Sequence, residues 1–316
     1  MKVSIFSKNP TFSYQFQCKD KGVIGVYGVS GSGKSSLLNA LAGFSATTTG
    51  SIEFNNKFLL DTKNKQKPAV VKCSYMQQHP VLFPHWSVAK NLAFAQAYGQ
   101  QRHDVDFYLD ELACKSLVHK FPHQLSGGEQ QRIAFIRTLL LIDNNSLVLL
   151  DEPLTALNES LKEKAIALLA RQENCLMFLV THEINQLYRL ADSILCLKKG
   201  KVSYHDSCTN AMNSEQSNLP IASQIYFEGD KHIIYADDVS ISLNKHHDSS
   251  IVHQITAKII AIEIKNNSAK LKLELHKDYN SQILYAKITQ HSLQRLELKV
   301  QQTVFANFKA TSYQPS

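Results

Sequence analysis

The sequence contains no run of apolar residues long enough to cross a membrane. A spanning helix needs about 18 or more consecutive apolar residues, and no segment of the 316 residues approaches that length. The first residues, Met1 to Ser7, also contain no apolar stretch of the kind found in a secretory signal. We therefore expect any role in a membrane process to be that of a peripheral partner of other chains.

Paired cysteines are missing as well. The six cysteines lie far apart without a CxxC pair, and several of them occur in apolar stretches. This spacing matches neither a structural zinc site nor a disulfide framework, which favours a reducing compartment. The cysteines are Cys18, Cys73, Cys114, Cys175, Cys196 and Cys208.

Composition excludes a disordered chain and gives little support to a nucleic-acid partner. Hydrophobic residues make up 44% and charged residues 19%, which is ordinary for a globular protein. The net charge is +7, and basic proteins attract nucleic acids and anionic membranes. However, the basic residues are dispersed, and only Lys63, Lys65 and Lys67 form a dense group, in a stretch typical of a solvated loop. We expect no nucleic-acid partner.

Length and pattern indicate two domains. Residues 1–210 alternate short apolar strands with helical stretches, which predicts a mostly parallel sheet covered on both faces. Residues 211–227 have the Ser-, Asn- and Gln-rich composition of a linker, and residues 228–316 alternate as strands of a small all-β barrel or sandwich with a short helix near 292–298. Predicted strands are 23–27, 147–150, 176–180, 259–264, 270–275, 284–288 and 304–308, and predicted helices are 129–141 and 157–169.

A glycine-rich segment after the first buried strand carries the phosphate-binding pattern. Residues 28–35 read GVSGSGKS, directly after a strand and at the start of a helix. Backbone N–H groups of such a loop surround an anion, and the helix N-terminus adds a favourable dipole. Lys34 is predicted to reach the β- and γ-phosphates of a nucleotide, and the Ser35 hydroxyl to bind Mg²⁺. The residues predicted to hold ATP here are Gly28, Ser30, Gly31, Ser32, Gly33, Lys34, Ser35 and Ser36.

An acidic pair follows the second buried strand. Asp151 and Glu152 come directly after four apolar residues, 147–150. Carboxylates at the carboxyl end of a buried strand face the ligand crevice of an α/β sheet. Asp151 is predicted to hold Mg²⁺, directly or through water, and Glu152 to polarise the attacking water. The alternative, an acidic pair that only caps the next element, is disfavoured by the phosphate-binding loop.

A second candidate anion site occurs at residues 125–132, which read LSGGEQQR. Ser126, Gly127 and Gly128 open a helix, again a natural anion cradle. Two cradles are redundant for one nucleotide unless they act on opposite partners. Together with the phosphate-binding loop and Asp151-Glu152, this segment resembles the LSGGQ-like signature of the ABC transporter ATPases. The resemblance covers residues 1 to about 210 and implies a P-loop NTPase fold with a helical subdomain.

The resemblance assigns further residues. Gln78 precedes a Leu-Phe-Pro-His run at the spacing of that family's Q-loop, which implies contact with Mg²⁺ or water and a position facing the membrane subunit; the adjacent Gln77 is the alternative. His182, after the strand 176–180, matches the switch histidine that contacts the γ-phosphate. Asn158 stands in the D-loop where aspartate is commoner, which removes a charge near the dimer contact. Adenine stacking stays unassigned, with Phe12, Tyr14 and Phe16 as candidates.

The mechanism implied by the family is ATP hydrolysis between two head-to-tail copies. Each nucleotide is expected to lie between Lys34 and Ser35 of one copy and Ser126 and Gly128 of the other. Binding closes the pair and hydrolysis reopens it. The implied partners are a second copy of the chain, membrane permease subunits and, indirectly, an external oxyanion-binding protein. The implied location is the cytoplasmic side of the cell (inner) membrane.

The C-terminal half resembles the molybdate-binding (MOP-like) domain of molybdate-importer ATPases. The segments that carry this likeness are 238–243, 249–251, 285–289 and 304–309. Ser250 and Lys309 occupy positions that imply an oxyanion site. Val252 stands where that family tends to have Arg, and His253 where it has Asn. A valine cannot replace a bidentate guanidinium contact, so a domain that serves dimer packing without an oxyanion is an equal alternative.

The expected function is therefore the ATPase of a molybdate or tungstate importer. One alternative is the same machine importing sulfate, a sugar or a polyamine, because those relatives also carry C-terminal β domains. Alternatives from another class are a soluble ABC ATPase acting on DNA or ribosomes, and an oxyanion sensor with a vestigial ATPase. Tandem cassettes and long coiled-coil inserts are not visible in the sequence, and Lys34, Asp151, Glu152 and His182 are all present, which argues against both.

Overall fold

The chain divides after Cys208 into two units, Met1–Cys208 and Thr209–Ser316. The computed structural model describes residues 1–64, 71–79, 81–99, 104–217, 219–227, 230–245, 253–265, 267–276 and 281–308. Each unit has buried apolar residues of its own.

The first unit is built on one ten-stranded sheet, one side of which is parallel. The order across the sheet is β5-β4-β1-β2-β10-β9-β3-β8-β7-β6, and the strands from β9 to β6 pair in parallel. In chain order the strands are β1 (Lys2–Lys8), β2 (Thr11–Gln17), β3 (Gly22–Tyr27), β4 (Thr49–Phe54), β5 (Lys57–Asp61), β6 (Cys73–Met76), β7 (Leu147–Asp151), β8 (Leu176–Val180), β9 (Ser193–Lys198) and β10 (Lys201–Ser207). Every residue of β7 and β8 is buried, as expected for strands covered on both faces.

The side of the sheet towards β5 is antiparallel apart from the parallel pairing of β10 with β2, which the expected alternation of strands and helices did not predict. Strands β1, β2, β4 and β5 pair antiparallel, as do β9 and β10. Tight turns explain the difference, because two-residue hairpins join only antiparallel strands. Asn55 and Asn56, between β4 and β5, have φ values of 50° and 59°, the left-handed conformation that such a turn requires.

Helices cover both faces of this sheet. In chain order those of the first unit are α1 (Lys34–Leu41), α2 (Val88–Tyr98), α3 (Val105–Glu111), α4 (Gly127–Leu140), α5 (Glu159–Ala170) and α6 (Ile184–Leu190). The helices α2, α3 and α4 pack together in one core, and α1 contributes to the other. The predicted helices 129–141 and 157–169 are confirmed as α4 and α5. Polar N-caps fix several starts, since Ser87, Asp104, Ser126 and Asn158 each accept a backbone N–H.

The segment 211–227, expected to be a linker, contains regular structure. Helix α7 (Cys208–Asn213) runs into it, and strand β11 (Ala222–Phe227) ends it. Ile225 is fully buried in the core of the second unit. The polar residues that suggested a linker make local hydrogen bonds instead: the Ser217 hydroxyl donates to the carbonyls of Ala211 (2.9 Å) and Ser214 (2.7 Å).

The second unit is all-β apart from short helices, as predicted. A five-stranded antiparallel sheet has the order β13-β17-β14-β15-β16, beside the hairpin β11-β12. The remaining elements are β12 (Asp230–Tyr235), β13 (Ser240–Ser242), β14 (His253–Lys265), β15 (Ser268–Leu275), β16 (Ile283–Thr289), α8 (Gln290–Arg295) and β17 (Thr303–Phe308). The long strand β14 has a register shift between Ile259 and Ala261. Such bulges bend a strand so that it can pair on both sides of a curled sheet.

In the part of the chain that the structure describes, no helix combines the length and apolar character needed to cross a bilayer. The six cysteines are free. No cluster of three or more His, Cys, Asp or Glu residues suited to a metal ion is found among the described residues.

Candidate nucleotide site

The predicted site residues of the first unit gather at the carboxyl edge of the parallel strands. In register, Met76 of β6 pairs with Leu150 of β7, and Val180 of β8 pairs with Asp151. Val26 of β3 also pairs with Val180. The phosphate-binding loop, Gln77-Gln78, Asp151-Glu152 and Thr181-His182 therefore all follow strands that end at one edge, where α/β sheets bind ligands.

The loop after β3 forms an anion cradle. The Ser32 N–H donates to the Val29 carbonyl (3.0 Å), the Gly200 N–H donates to the Ser32 carbonyl (2.9 Å), and Gly31 has a φ of +75°. The Ser32 hydroxyl is buried and has no hydrogen-bond partner, so it is available to a ligand in the cradle. Ser30 and Gly31 are exposed at the tip, while Ser35 and Ser36 lie in the first turn of α1. This arrangement fits a bound phosphate group.

Tyr14 of β2 holds the end of this loop through a hydrogen bond. Its side chain is fully buried, and its hydroxyl donates to the Gly33 carbonyl at 2.8 Å. Gly33 has a φ of +106°, and a Cβ added there would overlap the Tyr14 hydroxyl. Phe12 and Phe16 are buried as well. None of the three aromatics considered for adenine stacking faces solvent, because alternation along β2 turns all of them into the core.

Tyr14→Phe tests this support. The substitution removes one of the two hydrogen bonds to the Gly33 carbonyl, which still accepts the Leu37 N–H (2.9 Å), and costs about 0.5–1.5 kcal/mol of unfolding free energy. We expect ATP affinity to fall about three- to tenfold as well, because the end of the loop is no longer held. Denaturant unfolding and ATP titration measure the two effects.

Tyr108→Phe is the matched control for that substitution. Tyr108 is buried away from the loop, and its hydroxyl bonds to Gln172. We expect this variant to lose stability while keeping wild-type ATP affinity. If both variants bind ATP equally well, the Tyr14 hydroxyl serves only the fold.

Lys34 and Asp151 place opposite charges in the cradle. Lys34 is 8% exposed, and its ammonium donates to the carbonyls of Gly28 (2.7 Å) and Val29 (3.2 Å). Burial lowers the pKa of Lys34, opposed by the charges of Glu152 and Asp151. Burial likewise raises the pKa of Asp151, opposed by a hydrogen bond from Ser35 and by the charges of Lys34 and His182. An anionic ligand would favour the charged form of Lys34, whereas a bound cation would favour the charged form of Asp151.

Glu152 and His182 form a pair beside these groups. The His182 Nε2 atom lies 2.6 Å from Glu152 Oε1. The glutamate side chain is 10% exposed and the histidine side chain 54% exposed, so the pair connects the buried strand ends with the open edge of the sheet. A buried carboxylate held by an imidazole can accept a proton from water and polarise it for attack.

The Glu152 backbone is unusual. Its φ is +53°, a left-handed conformation that few residues other than glycine adopt. Its N–H donates to the Val180 carbonyl (2.9 Å), and its carbonyl accepts from Gln131 Nε2 (3.0 Å) and the Thr155 hydroxyl (3.1 Å). Gln131 and Thr155 lie within the signature and D-loop segments, but the sequence gives neither a role, since the contact depends on how α4 crosses the turn after β7.

The signature segment forms a separate cradle. Ser126 caps α4, its hydroxyl accepts the Glu129 N–H (3.3 Å), and the Glu129 carboxylate accepts the Ser126 N–H (2.7 Å). A Cβ at Gly127 would meet nothing within 4 Å, whereas one at Gly128 would lie 3.2 Å from the Ala156 carbonyl. The Ser126 hydrogen bonds are local, and the turn after β7 limits the space at Gly128. The loop at residues 28–33 instead contacts β2 and the turn before β10.

Gln77 and Gln78 lie at the same edge as Asp151 but differ in exposure. Gln77 is half-buried and lines a cavity of about 180 Å³ with Phe44, Tyr75, Met76, Val81, Ala134 and Arg137. Gln78 is exposed. Ser35, Asp151 and Gln78 offer hydroxyl, carboxylate and amide oxygens, which are the ligand types that Mg²⁺ prefers. The residues present therefore fit a magnesium ion.

Asn158 keeps the structural role of an acidic residue at the D-loop. Its side-chain oxygen accepts the Leu161 N–H at 3.0 Å and caps α5. Asparagine and aspartate cap helices about equally well. The missing charge therefore leaves the start of α5 intact.

The predicted oxyanion residues cannot be placed. Ser250, Val252 and Lys309 lie outside the described residues. His253 begins β14 and stacks on Phe308, with ring centroids 5.6 Å apart.

Comparison with known proteins shows which families the two units resemble. A family model for ABC transporters matches residues 12–155, and a TOBE domain model matches residues 249–313. The molybdenum import ATP-binding protein ModC of Mannheimia succiniciproducens is 33% identical over 92% of this chain and 93% of its own length. The protein of the same name from Haemophilus influenzae is 30% identical over 94% of both chains.

Solved structures show the same fold. An ATP-binding subunit of an ABC transporter superposes with a TM-score of 0.54 at 21% identity, covering 66% of this chain and 86% of that one. A dimeric bacterial ABC transporter cassette gives 0.52 at 24% identity, covering 66% and 97%. The predicted P-loop NTPase fold is confirmed, and the curled C-terminal sheet agrees with an OB-like TOBE domain.

Proposed function

Because this chain belongs to the ATP-binding subunits of ABC transporters, we propose that it hydrolyses ATP to drive the import of molybdate through separate membrane subunits. The observation that carries the catalytic part is the 2.6 Å contact between Glu152 and His182 at the edge of the phosphate-binding loop. The relatives named for molybdenum import support the substrate.

The loop and Lys34 bind the nucleotide. Backbone N–H groups of the loop and the Ser32 hydroxyl surround the phosphates, and Lys34 turns from the carbonyls of Gly28 and Val29 to the β- and γ-phosphates. Ser35, Asp151 and Gln78 hold Mg²⁺. When bound, that ion neutralises charge on the phosphate oxygens.

Glu152 polarises the attacking water and accepts its proton. Its left-handed backbone turns the side chain away from the run of β7 towards the edge where His182 stands. His182 holds the carboxylate in place and contacts the γ-phosphate. Charge stabilisation by Lys34 and alignment of the water together account for the chemistry, because phosphoryl transfer depends mainly on positioning and electrostatics.

A second copy of the chain completes the site. Ser126, Gly127 and Gly128 form an anion cradle that shares no hydrogen-bond partner with the loop at residues 28–33 within the described structure. Two such cradles on one chain suit two nucleotides, each held between the loop of one copy and the signature of the other. ATP binding then favours the closed pair and hydrolysis releases it.

Permease chains at the cytoplasmic face of the membrane complete the importer. The exposed Q-loop region at Gln78 is the surface that meets them, and an external oxyanion-binding protein delivers the solute. Ser250 and Lys309 of the second unit are proposed to bind an oxyanion, because hydrogen bonds to charged acceptors are strong. A second unit that serves dimer packing alone is the competing hypothesis.

Uptake by cells tests the proposal. Deleting the gene for this chain from its host should abolish uptake of labelled molybdate and leave sulfate uptake unchanged. Wild-type chain should restore uptake, and the Glu152→Gln variant should not. Loss of uptake of another solute instead of molybdate would assign the substrate differently while keeping the ATPase. Unchanged uptake of every solute tested would contradict the transport role.

Titration of the purified full chain with molybdate, tungstate and sulfate addresses the second unit separately. Saturable molybdate or tungstate binding that Lys309→Ala abolishes supports the oxyanion site. If none of the three anions binds, the hypothesis that the second unit serves dimer packing alone remains.

A further inference from the structure

Gln131 joins two parts of the site that belong to different nucleotides. It lies on α4, five residues after Ser126, which corresponds to a rise of about 7.5 Å along the helix. Ser126 at the start of α4 faces the nucleotide of the partner copy in the proposed function. The side chain of Gln131 reaches the turn that carries Glu152 of its own copy.

The Gln131 contacts are buried and specific. Gln131 is 5% exposed, and its Nε2 donates to the carbonyls of Glu152 (3.0 Å) and Pro153 (3.1 Å) and lies 3.3 Å from the Thr155 hydroxyl. Carbonyls only accept hydrogen bonds, so the NH₂ group must point at this turn. No other residue type of this size offers two donors with a neutral side chain.

The conformation that Gln131 holds is a costly one. A left-handed backbone at a residue other than glycine persists only when its surroundings fix it, and such strain is typical of functional sites. At Glu152, with φ of +53°, the surroundings are the Val180 carbonyl on one side and Gln131 with Thr155 on the other. The first contact belongs to the sheet, whereas Gln131 belongs to the signature helix.

We infer that Gln131 is a positioning residue that couples the signature helix to the water-polarising glutamate of the same chain. A nucleotide engaged by Ser126 at the start of α4 shifts or steadies the helix, and Gln131 transmits that change to the Glu152 peptide. A Cβ added at Gly128 would lie 3.2 Å from the Ala156 carbonyl, so the start of the helix packs closely against the same turn. This inference rests on the proposed function, because it requires Glu152 to act and Ser126 to meet the partner's nucleotide.

Gln131→Met is the direct test, because methionine keeps the volume and removes both donors. Misplacing a catalytic group by about 1 Å can cost on the order of 100-fold in rate. We expect kcat for ATP to fall about 30- to 100-fold while KM and the directly titrated ATP affinity stay within about threefold, since the phosphate-binding loop is untouched.

Thr138→Val is the matched control on the same helix. The Thr138 hydroxyl is buried and donates to the Ala134 carbonyl at 2.9 Å, far along α4 from the Glu152 turn. Its loss removes a buried hydrogen bond from the same helix without affecting the Glu152 turn, and we expect kcat to stay within about twofold of wild type. If Thr138→Val lowers kcat as much as Gln131→Met, a general loosening of the helix explains the effect and the inference is overturned.

A double-variant cycle tests the coupling itself. The single variant Ser126→Ala should lower kcat. If Gln131 transmits the signature contact, the double variant Ser126→Ala/Gln131→Met should be no slower than the slower of the two single variants. If the two reductions in kcat multiply in the double variant, the two residues act independently and the coupling is overturned. Failure of the proposed function is separable from both results, because it appears as absence of Mg²⁺-dependent turnover in the wild-type chain.

Discussion

Glu152→Gln is expected to lower ATP turnover by about three orders of magnitude. General-base catalysis contributes on the order of 10²–10⁴ in rate, and the amide of glutamine cannot accept the proton from the attacking water. ATP affinity should stay within about threefold, because Lys34 and the loop are unchanged. The measurements are steady-state phosphate release and ATP titration on the full chain. The ATP-bound pair should accumulate, since binding closes it and hydrolysis no longer reopens it, and gel filtration with ATP detects that species.

Glu159→Gln provides the control for this substitution. Glu159 lies on α5, its side chain is 85% exposed, and it pairs with Lys162 at 3.0 Å. Exposed pairs of this kind contribute little, so turnover should match wild type. Turnover of Glu152→Gln within tenfold of wild type would mean that another group polarises the water, and His182 would be the next residue to change.

Lys34→Met should abolish measurable turnover and weaken ATP binding about 100-fold, or about 2.8 kcal/mol. The reason is the loss of a charged donor to the β- and γ-phosphates, which thioether sulfur cannot replace. Without nucleotide the same variant should unfold close to the wild-type temperature, because removal of a buried charge offsets the loss of the hydrogen bonds to the Gly28 and Val29 carbonyls. Burial lowers the pKa of Lys34, so the folded state disfavours the charged form at neutral pH and gains by its removal. That cost is fully present below the lowered folded-state pKa of Lys34, decreases as the pH rises through it, and is gone above the unfolded-state pKa of lysine.

Lys162→Met is the matched control, because the surroundings of Lys162 raise its pKa whereas those of Lys34 lower it. Lys162 pairs with Glu183 (2.7 Å) and Glu159 (3.0 Å), and the hydrogen bond to Glu183 raises its pKa. Removing this charge should lower the melting temperature slightly and leave ATP affinity unchanged. A fall in stability of Lys34→Met equal to that of Lys162→Met would contradict a burial cost at Lys34. Thermal unfolding followed by circular dichroism, with and without ATP, distinguishes the two.

The candidate site residues could be assigned to one edge of the sheet from the sequence because its signals are local. A buried strand followed by a glycine-rich turn, or by Asp151-Glu152, can be recognised from a few adjacent residues, and parallel strands then bring such ends together. The contact between Glu152 and His182 follows from the register of β7 and β8. The side on which Gln131 approaches Glu152 depends on the packing angle of α4, which adjacent residues do not encode.

Tyr14 shows why some assignments from sequence stayed open. An aromatic residue in an alternating strand can face the core or a ligand, and alternation alone does not identify the buried face. The structure identifies that face: β2 pairs with β1 and β10, and its residues Phe12, Tyr14 and Phe16 all point into the core. The segment 211–227, expected to be a linker, contains regular structure for a related reason: its polar composition suggests irregular chain, but the Ser217 hydroxyl donates to the carbonyls of Ala211 and Ser214 beside α7.

The contact between Tyr14 and Gly33 also limits how this chain can diverge over evolutionary time. Two independent constraints act on Gly33, namely its left-handed backbone and the nearby phenol. A change at Tyr14 removes only the second constraint, so substitution of residue 14 does not allow residue 33 to become anything other than glycine. Divergence among relatives should therefore accumulate in the supporting strand while the loop above it stays the same, and the two positions should not covary.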